Sequence, residues 1–161
     1  MNSGDKIIAW EQLPAWRAAL RAQAKTLVVT NGCFDLLHRG HVSYLEAARA
    51  QGDVLLVGLN NDASVRELKG PDRPVNCAAD RAAVLAALQS VDAVCVFTDR
   101  GALRFLSTVQ PEVYVKGGDY TLDTINQDER RLVERLGGKV VVLPGIPGKS
   151  TSALLEKLSR R

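Results

Sequence analysis

Cysteine is scarce in this 161-residue chain, and the three that occur, Cys33, Cys77 and Cys95, stand at spacings that match no zinc pattern. An odd number of unmatched cysteines reads as free thiols in a reducing compartment. Long apolar runs are missing too: none approaches the ~18–20 residues that cross a bilayer. The N-terminal stretch Lys6–Trp10 meets Glu11 at once, too soon for the apolar core of a signal peptide. A cytoplasmic protein without a membrane partner is therefore expected. Charge bias is also small, with 21 basic and 18 acidic residues leaving +3. That argues against a nucleic-acid partner and suits a protein that handles small polyanions. There are no internal repeats, low-complexity tracts or linkers. The length fits one domain on the usual scale of ~100–200 residues. An apolar content of 46% supplies a core without disulfides or a structural metal.

Five apolar runs are present: Leu27–Val29, Asp53–Asn60, Ala93–Phe97, Glu112–Lys116 and Lys139–Leu143. They are continuous rather than alternating, the pattern of strands buried on both faces. Helical candidates lie between them. Residues 41–51 carry Val42, Leu45 and Ala48 on one stripe, and 80–88 carry Val84, Leu85 and Leu88. Residues 125–136 end at Gly137-Gly138, a C-cap signal. An N-terminal helix over about 11–24 places Pro14 in its first turn. A short final helix opens at Ser150 or Thr151. Strands separated by helices imply an α/β, Rossmann-like, doubly wound domain with a five-stranded parallel sheet. The expected organisation is a single domain over residues 1–161, with its core over 25–161.

In such sheets ligands bind beyond the carboxyl ends of the strands, at the switch point. Those ends read Thr30-Asn31-Gly32, Asn60-Asn61-Asp62 and Lys116-Gly117-Gly118-Asp119. Both histidines of the chain follow the first of them. His38 and His41 are three apart and share a helix face, with Gly40 between them where a helix begins. A helix N-terminus offers free N–H groups and partial positive charge to phosphate. Glycine there lets a phosphate approach the backbone, and imidazoles donate to phosphate oxygens that gain charge in a substitution. No cysteine or carboxylate completes a zinc ligand set nearby.

The stretch Thr30-Asn31-Gly32-Cys33-Phe34-Asp35-Leu36-Leu37-His38-Arg39-Gly40-His41 resembles the HxGH signature of the cytidylyltransferase-like nucleotidyltransferases. Within them it is most similar to the heptose-1-phosphate adenylyltransferases. The resemblance extends from Lys25 to the C-terminus through four further elements: Leu59–Gly70, Arg73–Asn76, Val115–Tyr120 and Ser150–Ser152. It implies transfer of AMP from ATP to D-glycero-D-manno-heptose 1-phosphate, giving ADP-heptose and pyrophosphate for lipopolysaccharide. His38, His41 and Lys116 would be catalytic. Asn31, Gly32, Cys33, Phe34, Gly40, Ser150, Thr151 and Ser152 would join the histidines in seating the ATP phosphates. Mg²⁺ would ride on those phosphates, without a dedicated protein metal cage. A separate upstream kinase would supply the sugar 1-phosphate, and the protein would be a homo-oligomer. Relatives that use glycerol 3-phosphate with CTP, or phosphopantetheine with ATP, are the alternatives, followed by a nucleotide-binding module without turnover.

Further residues are candidates for the acceptor side. Asp35 orients the loop or the sugar, or stabilises a turn. Lys116 ends a strand at the ligand edge, where an anion contact fits. Arg73 and Lys69 are placed to bind the sugar phosphate, with a solvated helix end as the other reading of Lys69. Asn60 and Asp62 would touch nucleotide or sugar hydroxyls, Asp62 being also a plausible N-cap. Cys33 needs no role as a nucleophile. Gly145–Ser150 looks like the end of a Walker A loop, but Leu143 stands where that pattern needs glycine. It reads instead as a Gly/Pro loop from which Lys149 could fold over the triphosphate.

Overall fold

A computed structural model describes residues 2–161. Two 3-10 turns, Ser3–Lys6 and Trp10–Gln12, lead into α1 (Leu13–Ala22), β1 (Leu27–Gly32), α2 (Arg39–Arg49) and β2 (Val54–Asn60). Then come α3 (Asp62–Lys69), α4 (Ala78–Ala86), β3 (Ala93–Phe97), α5 (Leu103–Val109) and β4 (Val113–Gly117). The chain closes with α6 (Gln127–Arg135), β5 (Lys139–Leu143) and α7 (Thr151–Ser159). All five strands are parallel, in the order β3-β2-β1-β4-β5. This is the α/β doubly wound sheet that the five apolar runs imply.

Successive strand residues point to opposite faces, and each face has its own core. Val28, Leu55, Val57, Val94, Val113 and Val115 meet Leu45 and Ala48 of α2 and Leu85 of α4. Leu27, Val29, Leu56, Cys95 and Tyr114 meet Leu13 of α1, Phe105 and Leu106 of α5, and Val133 of α6. Full burial of each such Leu or Val contributes ~1.5–3 kcal/mol. The β3 edge is covered, because Ile7 bridges to Val94 and the Ile8 N–H bonds the Val94 carbonyl at 2.8 Å. The β5 edge is only half-buried, although its sequence run looks like that of the inner strands.

Strand order reverses between β1 and β4, and this is where the sheet opens. The two strands pair only at Val28 with Val113 and Val29 with Tyr114. Beyond that point two tyrosines span the gap. On one face the Tyr44 hydroxyl donates to the Val115 carbonyl at 3.1 Å and lies 2.6 Å from the Thr30 hydroxyl. Burial, partly opposed by the Thr30 hydrogen bond, pushes its pKa up to about 12. On the other face the Tyr114 hydroxyl lies 2.6 Å from Asn31 Oδ1.

Several helical expectations need correction. The N-terminal helix runs over Leu13–Ala22 rather than 11–24, because Trp10–Gln12 forms a 3-10 turn first. In α4 the buried stripe is Arg81, Ala82, Leu85 and Ala86, while Val84 is half-exposed. Helix α5 has no counterpart among the expected helices, since seven residues are too few to show a helical period. Asp62 does not cap α3. Asn61 does, its Oδ1 accepting the Ser64 N–H at 2.9 Å.

Candidate active site

The two histidines are held by the first turn of α2. His38 is the N-cap, in extended conformation, and its Nδ1 accepts the Gly40 N–H at 3.0 Å. His41 Nδ1 accepts the His38 backbone N–H at 3.3 Å. Each Nδ1 is thus an acceptor, so each neutral ring carries its proton on Nε2. No described group is hydrogen-bonded to either Nε2. The ring centroids are 4.0 Å apart with planes inclined by 34°, and Phe34 flanks His41 at 5.4 Å. Burial lowers both pKa values. The Lys149 charge adds to the effect on His38, and His38 adds to that on His41, which falls to about 4. Near neutral pH the pair is therefore uncharged, with two Nε2–H donors available.

Gly40 has a nearer task than admitting a phosphate. A Cβ there would lie 2.7 Å from His38 Cε1 and 2.8 Å from Nδ1. Only glycine lets the imidazole fold back onto the helix end. The same Cβ would lie 3.2 Å from Lys149 Cβ, so the Gly/Pro loop does reach the histidines.

Three ties gather the other loops around residues 32–41. The first is Thr151, whose hydroxyl donates to the Leu36 carbonyl at 2.9 Å and docks the start of α7. Ser150 caps that helix, its Oγ accepting the Ala153 N–H at 3.0 Å. The Thr151 hydroxyl proton is thus already committed. The backbone N–H groups of Thr151 and Ser152 have no partner among the described residues and are the free donors of this terminus. The second tie is Asp35. Its side chain is closed to solvent and takes Arg73 Nε at 2.7 Å and the N–H groups of Val75 and Asn76. Of its expected roles, this geometry supports holding a loop, the one over Arg73–Asn76.

The third tie is Arg81, fully buried on α4. It donates to the carbonyls of Cys33 at 2.6 Å, Asn60 at 2.9 Å and Asn76 at 2.9 Å, and to Asp62 Oδ1 at 2.8 Å. Asn60 is buried, with Nδ2 3.5 Å from the Arg100 carbonyl. Asp62 remains partly open while paired with Arg81. Lys69 ends α3, exposed, and its charge acts on Cys33. Burial raises the Cys33 thiol pKa, with Lys69, Arg81 and Arg73 partly opposing, which keeps the sulfur a poor nucleophile.

Lys116 stands across the switch point at the end of β4, on the face of Tyr114, with Nζ 5.4 Å from that ring's centre. Burial lowers its pKa and Glu129 opposes the shift. No hydrogen bond or ion pair among the described residues ties it to the histidines. Among the described residues, no cluster of three or more His, Cys, Asp or Glu could hold a metal. Asp35 and Asp62 are paired with Arg73 and Arg81.

The sequence profile of the cytidylyltransferase-like family matches residues 29–155, which include every tie described above. The chain belongs to the cytidylyltransferase-like family. It is 47% identical over 160 residues to the bifunctional protein HldE of Trichlorobacter lovleyi, covering 99% of this chain and 32% of that protein. The HldE proteins of Geotalea uraniireducens and Mesorhizobium japonicum are 50% and 52% identical over 157 and 141 residues, covering 98% and 88% of this chain but 32% and 28% of theirs. The chain thus spans about one third of the length of the curated relatives it matches. Among solved structures, the lipopolysaccharide core biosynthesis protein of Thermoplasma volcanium shares the fold, with a TM-score of 0.63 at 24% identity over 76% of this chain and 97% of that one. Pantoate-beta-alanine ligase of Francisella tularensis does so with a TM-score of 0.57 at 14% identity, over 96% of this chain and 79% of that one. As a cytidylyltransferase-like protein the chain is a nucleotidyltransferase.

Within this cytidylyltransferase-like frame, sequence reasoning passed over Tyr44, Arg81, Tyr114 and Glu129. Arg81 left a readable signal, a charge on the apolar stripe of its helix beside Ala82 and Leu85. The tyrosines and Glu129 left none, because their partners lie on other elements.

Proposed function

We propose that this nucleotidyltransferase is an adenylyltransferase that moves AMP from ATP to D-glycero-D-manno-heptose 1-phosphate. ADP-heptose, destined for lipopolysaccharide core, and pyrophosphate are the products. The observation that carries the chemistry is the pair of neutral imidazoles with both Nδ1 atoms occupied by backbone N–H groups. Two Nε2–H donors beside a helix N-terminus suit a phosphate that gains negative charge during substitution.

In this reading an oxygen of the sugar phosphate attacks the α-phosphorus of ATP. The bond to the bridging oxygen breaks on the opposite side, and pyrophosphate leaves with the electron pair. Such a step needs positioning and charge neutralisation, with no covalent intermediate. His38 and His41 hold the α- and β-phosphates. The backbone around Gly32, Cys33 and Phe34, the N–H groups of Thr151 and Ser152, and the Lys149 ammonium seat the rest of the triphosphate. Lys116 and Arg73, with Lys69, receive the acceptor phosphate. Asp35 and Asp62 are engaged by Arg73 and Arg81, and Mg²⁺ would come with ATP as the MgATP substrate and would supply charge neutralisation to its phosphates.

The heptose acceptor is supported by the resemblance of Val115–Tyr120 to the heptose branch and by identity to HldE proteins over nearly the whole chain. We place residues 1–161 together as one catalytic domain, working in the cytoplasm as a homo-oligomer. A separate kinase supplies the sugar 1-phosphate. The test is pyrophosphate release from ATP or CTP with heptose 1-phosphate, glycerol 3-phosphate or phosphopantetheine. Release with ATP and heptose 1-phosphate is expected. Release only with another pair overturns the acceptor assignment.

A further inference from the structure

On the sheet face of Lys116 lies a buried carboxylate that phosphate handling does not use. Glu129 of α6 is 5% exposed, and no described cation forms an ion pair with it. Its Oε1 accepts the Ala102 N–H at 3.1 Å, and its Oε2 lies 2.9 Å from the Tyr114 hydroxyl. The Tyr114 hydroxyl lies in turn 2.6 Å from Asn31 Oδ1, at the carboxyl end of β1. Tyr114 is fully buried and Asn31 half-buried. The chain Ala102–Glu129–Tyr114–Asn31 therefore runs from the core to the switch-point crevice.

This chain has a direction. A hydroxyl carries one proton, and a carboxylate can only accept. With Glu129 ionised, Tyr114 gives its proton to Glu129 and has only a lone pair left for Asn31. The Asn31 group that faces Tyr114 must then be the NH₂, and a half-turn of the amide exchanges it with the oxygen. That exchange puts the Asn31 carbonyl oxygen on the side of the amide away from Tyr114. A carbonyl oxygen repels phosphate oxygens and attracts a hydroxyl.

We infer that Glu129 and Tyr114 are positioning residues that aim the Asn31 carbonyl oxygen at a substrate hydroxyl. This rests on the nucleotidyl-transfer reading above, and it takes Asn31 out of the triphosphate contacts expected from the sequence. Ribose of ATP and the acceptor sugar both offer such a hydroxyl.

The test exploits the direction of the chain. Glu129→Gln keeps the shape, but its NH₂ donates to Tyr114. Tyr114 then donates to Asn31, and the Asn31 NH₂ swings into the crevice. Adding Asn31→Asp to that variant gives the Tyr114 proton an acceptor and returns an acceptor oxygen to the crevice. Steady-state kinetics with ATP, 2′-deoxyATP and 3′-deoxyATP are measured against heptose 1-phosphate, together with nucleotide binding by calorimetry. Glu129→Gln is expected to lower kcat/KM about 10-fold, the scale of one lost hydrogen bond with a mismatched partner. The double variant regains most of that loss, which a purely structural role for Glu129 does not permit.

If ribose supplies the hydroxyl, preference for ATP over one deoxynucleotide collapses in Glu129→Gln and returns in the double variant. If the acceptor supplies it, that preference is unchanged, and the KM for heptose 1-phosphate rises and falls back instead. Wild-type parameters for both substrates in Glu129→Gln, or a double variant no better than the single, overturn the inference. Where Glu129→Gln does not fold, Tyr114→Phe frees Asn31 to rotate, and unchanged discrimination and KM in that variant overturn it equally. Wild-type enzyme that releases no pyrophosphate with any acceptor overturns the transfer reading instead. Calorimetry of ATP against the deoxynucleotides still tests the aim of Asn31.

Discussion

Arg73 Nε rests 2.7 Å from Asp35 Oδ2, and that carboxylate also gathers the N–H groups of Val75 and Asn76 at 2.8 and 3.0 Å. Burial raises the Asp35 pKa, but the Asn76 and Val75 N–H groups and the Arg73 guanidinium outweigh it and hold the carboxyl below its ordinary value. Asp35→Ala strands these donors and is expected to cost about 2–4 kcal/mol. Thermal melting near neutral pH would then shift down by roughly 5–15 °C. Because the folded pKa lies below the unfolded value of about 3.9, the stabilisation is complete above that value and is lost as pH falls through the folded one. Wild type and variant should therefore converge in acid. A variant that melts with wild type at neutral pH shows that Asp35 does not stabilise the fold through these contacts.

His41→Ala is expected to lower kcat by at least ~10²-fold with a smaller change in ATP affinity, the signature of a contact made mainly in the transition state. Stability carries a second readout. The His41 pKa falls from the ordinary 6.5 to about 4 on folding. Between those values the unfolded chain binds the extra proton, so stability drops as pH falls from 6.5 towards 4. His41→Gln should flatten that part of the melting curve against pH. An unchanged slope refutes the buried, neutral imidazole.

Gly40→Ala sets two effects against each other. Alanine favours a helix over glycine by ~0.8–1.0 kcal/mol in an interior position. Here its Cβ meets the His38 ring at 2.7 Å and drives it off the helix end. Turnover is expected to fall at least ~10²-fold, as for loss of a phosphate donor, while the melting temperature changes little. Near-normal turnover would mean that the His38 cap is dispensable.

Lys149 acts on His38 through charge. Its ammonium depresses the His38 pKa in addition to burial. Lys149→Ala should therefore raise the His38 pKa, read by NMR titration of the ring, and weaken ATP binding by about 10-fold, as expected for one charge-assisted contact. Unaltered ATP affinity sinks the idea that Lys149 folds over the triphosphate.

The parts of this fold that could be read in the sequence are those that neighbours in the chain control. The five apolar runs became five parallel strands, because a strand buried on both faces must be apolar throughout. The cap of α7 was legible as Ser150 or Thr151, and Ser150 takes the place because its hydroxyl serves an N–H three residues on. Asp62 was misread as a cap because Asn61, one residue earlier, serves α3 equally well by composition and wins by geometry. Val84 was assigned to the wrong side of α4 because a short helix with apolar residues on several sides leaves its buried face ambiguous, and Arg81 took the place inside.

The sequence by itself determined the class of sheet, the strand ends at its switch point and the pair of histidines that stands there. Periodicity and a helix start are properties of a few consecutive residues. Tertiary structure alone decided which polar atoms remain free for a substrate. Asp35 is spent on a loop 38 residues away, the Thr151 proton on a carbonyl 115 residues away, and Tyr114 lies against Asn31 across 83 residues. A hydroxyl has one proton and a buried carboxylate needs donors. Packing distant elements together therefore settles what each side chain has left to offer.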